Sequence, residues 1–245
     1  MLPEIKLVGD VDVAALSPLL RGMSLSVSYA GSQGGIGLTA TGAMNRKFVH
    51  WAATHFQWPG FTAEDLYSMN KVLNESDMPP LWPVRDMLHH LKLLRRNKDN
   101  LLPTKRGRDF LARPRAFFDL IATDYLYAYI HHGQTLEDVR NRIRWWHVFL
   151  NLINMKADMP CSLEELANEL YPSEAYPAPA EMTVETVMER SSLRYDVIQP
   201  LCWLGLLHEE REGLTIWQDG TYRKTPLWEA CLKLASDKQA SISMH

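Results

Sequence analysis

The sequence has few cysteines and no long apolar run. The first absence argues against a disulfide-stabilised protein, and the second against a membrane-spanning one. The chain has three cysteines, Cys161, Cys202 and Cys231. Their odd number and wide spacing favour reduced thiols over a disulfide framework. No apolar run approaches the roughly 20 residues that a membrane-spanning helix requires, and the first residues lack the basic and then apolar order of a secretory signal. We therefore expect a soluble, cytoplasmic protein with no membrane partner.

Motifs for catalysis and metal binding are also missing. His89-His90 and His131-His132 are adjacent pairs, whereas a helical zinc site places two histidines four residues apart. The glycines between Ala30 and Gly37 match neither the dinucleotide-binding nor the P-loop spacing, so we interpret this segment as a turn. No Gly-x-Ser-x-Gly elbow is present. We expect no cofactor, no metal and no catalytic residue, and predict that the protein is not an enzyme.

Charge is unevenly distributed along a chain whose net charge is only −3. Between Arg85 and Arg115 there are ten basic and three acidic residues, which leaves a net charge of +7. Between Ala157 and Arg190 there are eight acids and one arginine, which leaves −7. An anionic partner should therefore bind the first of these segments.

Hydrophobic periodicity predicts a series of helices in the first half of the chain. The first predicted helix lies within Asp12–Ser28 and starts at Pro18, after a Ser17 cap. The others are predicted at Asn45–Phe56, from the capping box of Thr62 onward, and at Leu81–Leu94. A polar turn at Arg95–Asn100, a return strand at Leu101–Thr104 and a short helix from Lys105 follow. Several helices followed by a hairpin are typical of a winged helix-turn-helix, in which the hairpin is the wing.

The second half repeats this pattern after two long helices, predicted at Ala116–His131 and Leu136–Met155. Val197–Leu207 aligns with Val84–Leu94 at a constant offset of 113, and one valine and four leucines coincide. We also align the capping box of Ser162 with that of Thr62, and Thr225 with Thr104. A second hairpin starts at His208 and turns at Gln218–Gly220, and a closing helix is predicted at Leu227–Ala235. A pattern found twice is more specific than a single match.

These patterns predict a mainly α fold of two winged-helix-like modules, each with a small β-hairpin wing, joined by long helices. The predicted boundaries are 1–37 for an N-terminal helix and Gly-rich loop, 38–115 for the first module, 116–142 for connecting helices, and 143–245 for the second module. The second module is expected to hold an insertion at 171–190, with a proline-rich loop and an extra helix near Val184–Arg190.

The candidate nucleic-acid-binding residues come from the basic part of the first module. Arg85, His89, Lys92 and Arg96 are spaced by 4, 3 and 4 residues, which would place them on one stripe of the third helix. Further basic residues lie on the hairpin or just after it. The eight candidates are Arg85, His89, Lys92, Arg95, Arg96, Lys98, Lys105 and Arg106. The alternative is an ordinary charged, solvated helix face.

The corresponding face of the second module is apolar and then acidic. It consists of Ile198, Cys202, Gly205 and Glu209. Such a face cannot read DNA by the same means. If it is exposed, it would favour packing against the rest of the chain, a protein partner or a homodimer.

Three segments carry a resemblance to known proteins, namely Leu38–Val49, Val84–Leu111 and Val197–Ala235. Together they resemble winged-helix repeat proteins of bacteria. More loosely, they are similar to the C-terminal part of the Ri-plasmid open-reading-frame-three-like proteins, which pair a Leu-Thr-x-x-Gly turn with helices and a wing. The resemblance covers most of the chain and implies a mobile-element or regulatory context. The acidic second module departs from it, because it lacks the basic face of a two-headed DNA binder.

From the sequence we thus expect a DNA-binding or transcription-associated factor. In this hypothesis the third helix of the first module enters a groove of double-stranded DNA and the wing contacts the backbone. The alternative is a non-enzymatic protein-interaction scaffold built from winged-helix modules, since one fold hosts many functions.

Overall fold

The computed structural model describes residues 2–131, 133–171, 184–211 and 220–237, and their side chains except those of residues 184–186. The chain forms two compact units. Asp12–Ile121 form one unit, here called the first module, and the remaining described residues form the second module. No helix in the described parts of the chain is long and apolar enough to cross a membrane.

The first module combines helices with one small sheet. Its helices are α1 (Val13–Leu16), α2 (Pro18–Ser32), α3 (Arg46–His55), α4 (Ala63–Met69), α5 (Leu81–His90) and α6 (Lys105–Ala112), with 3-10 turns at Glu75–Asp77 and Pro114–Phe117. Its strands are β1 (Ile36–Gly37), β2 (Leu94–Asn97) and β3 (Asn100–Pro103). They form an antiparallel sheet in the order β1-β3-β2. The next helix, α7 (Phe118–Tyr127), contains the division between the modules.

Helix α2 forms part of the core of the first module. It begins where the sequence predicts, because the Ser17 hydroxyl accepts a hydrogen bond from the Leu20 amide at 3.2 Å and Pro18 occupies the first turn. The helix contacts α5, α6 and β3. Its fully buried side chains include Leu19, Leu20, Met23 and Val27. This helix therefore lies within the compact unit Asp12–Ile121.

The second module has the same kinds of element. Its helices are α8 (Leu136–Lys156), α9 (Leu163–Leu170), α10 (Val184–Ser192), a π-helix (Leu193–Ile198), α11 (Gln199–Leu204) and α12 (Pro226–Cys231). Its strands are β4 (Cys161–Ser162), β5 (Leu207–Glu210) and β6 (Thr221–Lys224), in the order β4-β6-β5. The first residues of the chain join this module, since the Lys6 amide donates to the Cys231 carbonyl at 2.9 Å. The mainly α architecture with two small hairpins is thereby confirmed.

Two parts of the second module that the sequence singled out lie outside the described residues. They are residues 172–183 of the expected proline-rich insertion and residues 212–219, which include most of the expected hairpin turn. The antiparallel pairing of β5 with β6 is described and agrees with the predicted second hairpin.

The repeat at an offset of 113 is visible in the backbone of both modules. Lys92 and Gly205, which the offset aligns, both have a left-handed conformation, with φ of 55° and 91°. In each module the amide of the following residue donates a hydrogen bond to a carbonyl near the end of the preceding helix. Leu93 donates to the Leu88 carbonyl at 2.8 Å, and Leu206 donates to the carbonyl of the aligned leucine at 2.9 Å. This is the Schellman type of helix end. Helices α5 and α11 therefore end with the same capping motif.

The predicted equivalence of Thr104 and Thr225 is also visible. Each caps the helix after its hairpin. The Thr104 amide donates to the Leu93 carbonyl, and the Thr225 amide donates to the carbonyl of the equivalent Leu206, both at 3.0 Å. The threonines thus tie the helix after the hairpin to the end of the helix before it.

The predicted extent of the third helix, Leu81–Leu94, is wrong. Helix α5 ends at His90, because Lys92 has the left-handed conformation that closes the helix, and Leu94 already begins β2. The helix predicted at Ala116–His131 is also shorter, with α7 ending at Tyr127.

The alignment of the two capping boxes is shifted by one helix. Both boxes form, with Thr62 capping α4 and Ser162 capping α9. In element order, however, α9 follows β4 directly, as α3 with its Asn45 cap follows β1. Helix α4 therefore corresponds to α10, so the helix predicted near Val184–Arg190 as an addition has a counterpart in the first module.

Candidate nucleic-acid interface

The basic residues of the first module are grouped on and around the β2–β3 hairpin. Residues 92–108, here called the basic segment, contain seven lysines and arginines and one acid, Asp99. In the hairpin Arg95 lies opposite Leu102 and Arg96 opposite Leu101. Because side chains alternate along a strand, Arg95 and Arg96 point to opposite faces of the hairpin. The cationic residues of the segment are Lys92, Arg95, Arg96, Lys98, Lys105, Arg106 and Arg108.

The hairpin turn places Lys98 at its tip. Lys98 has a φ of 53°, and its carbonyl accepts a hydrogen bond from Arg96 Nε at 3.0 Å. A Cβ on Gly42 would lie 3.8 Å from Arg96 Nη1, so this arginine lies beside the Leu-Thr-x-x-Gly turn. The carbonyl of Asp99 accepts from the Leu38 amide at 2.7 Å at the start of that turn. Strand β1 and its turn thus support the hairpin.

Helix α6 is held close to the base of the hairpin. The Thr104 hydroxyl donates to the Lys92 carbonyl at 2.7 Å and accepts from the Gly107 amide at 3.0 Å. A Cβ on Gly107 would lie only 2.2 Å from the Leu93 carbonyl oxygen, so glycine is required for this approach. The first turn of α6, with Lys105 and its neighbouring arginines, is therefore fixed against the residues that precede β2.

Arg85 does not belong to this exposed group. Its Nη1 lies 3.0 and 3.1 Å from the two carboxylate oxygens of Glu75, which is only 6% exposed. Its Nη2 donates to the Gly42 carbonyl at 2.9 Å, and Glu75 also accepts from the Met44 amide at 2.6 Å. Arg85 thus joins α5 to the loop before α3. The predicted four-residue stripe does not exist, because Arg85 is ion-paired, while Lys92 and Arg96 lie beyond the end of α5.

The other seven predicted contact residues are exposed. They are His89, Lys92, Arg95, Arg96, Lys98, Lys105 and Arg106. Within the described part of the chain, none of the lysines and arginines among them lies at ion-pair distance from a carboxylate. Arg106 lies over the ring of Phe117 at 5.8 Å from its centroid. The structure thus brings six cations together around one hairpin, with His89 at the last turn of α5.

Sequence reasoning missed two residues of this region. Glu75 has no periodic relation to Arg85 and is recognised as its partner only from the folded loop. Arg108 was counted in the charge of the region but not as a contact residue, although it is exposed in the same helix turn as Lys105. Its Nη1 donates to the Pro103 carbonyl at 3.3 Å.

The hairpin of the second module has no excess of basic residues, because Arg223 and Lys224 of β6 balance the two glutamates of β5. Strand β5 carries Glu209 and Glu210, and Glu209 pairs with Arg211 at 2.8 Å. The Tyr222 hydroxyl lies 3.3 Å from Glu209 as well. The predicted apolar face does not form an exposed stripe, because Ile198 is buried in the core.

A second group of titratable side chains lies inside the second module. Arg142, 5% exposed, donates to Gln134 Oε1 at 2.7 Å and to the Tyr129 carbonyl at 3.2 Å, and Gln134 in turn donates to Asp196 in the π-helix. Burial, and then the charge of Arg142, lower the pKa of His131 to about 3. This group links the turn before α8 to the π-helix. Of the described residues, no three His, Cys, Asp or Glu side chains are placed to hold a metal ion.

Comparison with known proteins gives two adjacent family matches. The model of the Y4jL N-terminal domain matches residues 15–116, and that of the y4jL C-terminal domain matches residues 136–226. "Uncharacterized protein y4jL" of Sinorhizobium fredii (strain NBRC 101917 / NGR234) is 79% identical over 196 residues, which cover 80% of this chain and 89% of the relative. The chain belongs to the y4jL family. No solved structure matches it.

The two y4jL domains confirm the tandem organisation that the repeat predicts. The basic segment lies wholly within the y4jL N-terminal domain, and the β5–β6 hairpin lies within the y4jL C-terminal domain. The assignment of these domains to the winged helix-turn-helix class stays a prediction.

Proposed function

We propose that this y4jL-family protein binds double-stranded DNA, without catalysing a reaction, and that the basic segment carries the binding. In each module one strand and then three helices come before a hairpin. The second strand of the hairpin pairs with the strand that precedes these helices, and this topology supports a winged helix-turn-helix assignment. In this assignment the β2–β3 hairpin is the wing of the first module. The observation that carries the proposal is the group of exposed cations around that hairpin, which have no acidic partner among the described residues.

The proposed contacts differ from groove insertion of the third helix. The arginine in the middle of α5, Arg85, is held by Glu75, and its neighbour Asp86 is an exposed acid. Helix α5 therefore offers little to phosphates or base edges, except through His89 at its end. The hairpin and the first turn of α6 offer lysine and arginine side chains to the DNA backbone, and each phosphate contact releases counterions. Such contacts position a protein on DNA more than they specify a sequence.

The conformation of two lysines supports this role. Lys92 and Lys98 have φ of 55° and 53°, a region in which a residue with a Cβ costs roughly 1 kcal/mol more than glycine. The second module has Gly205 at the position of Lys92. A cation at a strained position of an exposed hairpin is expected where its charge serves binding.

The finer parts of the functional hypothesis follow from this binding. The proposal includes a cytoplasmic location. It also includes a transcription-associated role in which the first module contacts the DNA. The β5–β6 hairpin carries two glutamates beside one arginine and one lysine, so it offers no comparable group of cations to DNA, and the second module would have an organising role. The alternative, a pure protein-interaction scaffold, is favoured if the first module proves unable to bind DNA.

Fluorescence anisotropy with a labelled DNA duplex at low ionic strength tests the proposal. We expect the double variant Arg95→Ala/Lys98→Ala to bind at least about tenfold more weakly than the wild type. The matched control is Lys47→Ala/Arg140→Ala, which removes two exposed cations outside the basic segment and should bind nearly as the wild type. Absence of wild-type binding at low salt, or an equal loss in both double variants, would overturn the proposal.

A further inference from the structure

Helix α8 has large apolar side chains on its solvent side. Trp145 is 53% exposed and Met155 is 52% exposed, while Met159, just after the helix, is 71% exposed. Val148 is exposed as well, whereas Leu152, which lies between them, is buried. We call these five residues the α8 stripe. A tryptophan and two methionines this exposed are typical of an interaction surface, since both residue types are enriched in interfaces.

The spacing of the stripe fits a partner helix. Its members follow one another at intervals of 3, 4, 3 and 4 residues, from Trp145 to Met159, which is the spacing of the seam between two helices of a coiled coil. The core of the second module is served by a different face of α8. That face holds Val139, Trp146, Leu150 and Ile153, all buried. Apart from the buried Leu152, the stripe is therefore a second apolar face that is not part of the core.

We infer that the α8 stripe binds the α8 stripe of a second copy of this chain, with the two helices antiparallel. In this arrangement Trp145 of each copy packs on Met155 of the other, and Val148 packs on Leu152. The pairing is self-complementary, as a two-fold interface requires, because each contact occurs twice. A parallel arrangement would instead place like residues together, including Arg144 beside Arg144.

Charges at the two ends of the stripe support the antiparallel arrangement. Arg144 is exposed beside Trp145 and has no ion-pair partner among the described residues. Asp158 lies at the other end and is 67% exposed, although its carboxylate also contacts Lys224 at 2.7 Å. Antiparallel packing brings Arg144 of one copy to Asp158 of the other at both ends. Charge complementarity of this kind fixes the orientation of partners.

This inference does not rest on DNA binding. A stripe of about two heptads is small compared with a standard interface, so we expect a dissociation constant of roughly micromolar size. A dimer would carry two basic segments, and DNA binding would then gain avidity. The experiments below contain no DNA, so the dimer and the DNA proposal can fail separately.

Sedimentation velocity of the full chain over a range of concentrations tests the apolar contact. We expect the wild type to pass from one chain to two in the micromolar range, and Trp145→Glu/Met155→Glu to remain a single chain. The matched control is Val72→Glu, which changes a half-exposed valine of the first module and should dimerise as the wild type. A single chain for the wild type at all concentrations would mean that another segment of the same chain covers the stripe, and the inference would be wrong.

Charge exchange tests the antiparallel arrangement. We expect Arg144→Asp and Asp158→Arg each to weaken dimerisation about tenfold, because each homodimer then contains two like-charged contacts. An equimolar mixture of the two variants should dimerise nearly as the wild type, since every contact between unlike chains is again between opposite charges. A misfolded variant could not be rescued by mixing. Failure of the mixture to associate would exclude this packing.

Discussion

The ion pair with Glu75 gives Arg85 a structural role. The carboxylate is buried and accepts from the Met44 amide at 2.6 Å, while Arg85 reaches it at 3.0 Å. A buried carboxylate is stable only when its hydrogen bonds are made. The arginine that looked from sequence like the first member of a DNA-reading stripe thus has a structural role, and it fixes the loop on which the hairpin rests.

Removing the charge of Glu75 should destabilise the first module. We expect Glu75→Gln to lower the free energy of unfolding by about 1–3 kcal/mol, because hydrogen bonds to a charged group are lost in a buried place. Urea denaturation followed by circular dichroism measures this. The control Glu64→Gln, at an exposed position of α4, should change the free energy by less than about 0.5 kcal/mol. Equal effects of the two substitutions would contradict the structural role of Glu75.

His131 should make the stability of the second module depend on pH. Its pKa is lowered to about 3 in the folded state, whereas an unfolded histidine titrates near about 6.5. As the pH falls below about 6.5, the unfolded state binds a proton that the folded state does not, so stability falls by up to about 1.4 kcal/mol per pH unit until about pH 3.

The substitution His131→Gln tests this dependence. Unfolding free energies of the wild type and the variant, measured by urea denaturation between pH 7 and pH 4, should converge as the pH falls, because only the wild type loses this contribution. Two parallel curves would show that His131 is not buried as a neutral ring.

At the scale of elements, the end of α5 is the feature that links fold and charge. A Schellman end usually has glycine at the left-handed position, and the second module has Gly205 there, but the first has Lys92. We expect Lys92→Gly to stabilise the first module by about 0.5–1 kcal/mol, and Gly205→Ala to destabilise the second by about 1 kcal/mol or more. Thermal unfolding measures both. Destabilisation by Lys92→Gly would contradict the equivalence of the two positions.

The elements themselves were largely predictable from sequence, and their ends and contacts were not. The proline at 18 after Ser17, the capping boxes of Thr62 and Ser162, and the leucine pattern are local signals, and each helix formed near its predicted start. The early end of α5 was missed because lysine gives no signal for a left-handed conformation. The pairing of capping boxes was misaligned because a four-residue motif does not show which strand precedes it.

The candidate site was predictable in composition and not in geometry. The density of lysine and arginine after residue 85 identified the basic region, and all of its predicted residues except Arg85 are exposed. Their arrangement depends on the hairpin register and on a contact with Glu75 ten residues away, which periodicity cannot show. Of the four residues expected on one helical stripe, Arg85 and His89 lie in α5, Lys92 lies after its end, and Arg96 lies in the hairpin.

At the scale of the whole molecule, the two modules have a similar construction and different proposed roles. The net charge of −3 excludes DNA binding by bulk charge, so binding has to come from a local group of cations. The basic segment in the first module and the α8 stripe in the second module would provide DNA contact and self-association separately. Substitutions in the basic segment should then leave self-association unchanged, whereas substitutions in the α8 stripe should remove only the avidity of DNA binding.

The salt dependence of DNA affinity tests the central claim most directly. If about four cations of the basic segment contact phosphates, the logarithm of the association constant should fall with the logarithm of salt concentration at a slope of about −4. Lys98→Ala should reduce the size of that slope by about 1, and Lys47→Ala, at an exposed position outside the basic segment, should leave it unchanged. A wild-type slope near zero, or a slope that Lys47→Ala reduces as much as Lys98→Ala does, would contradict DNA binding by the basic segment.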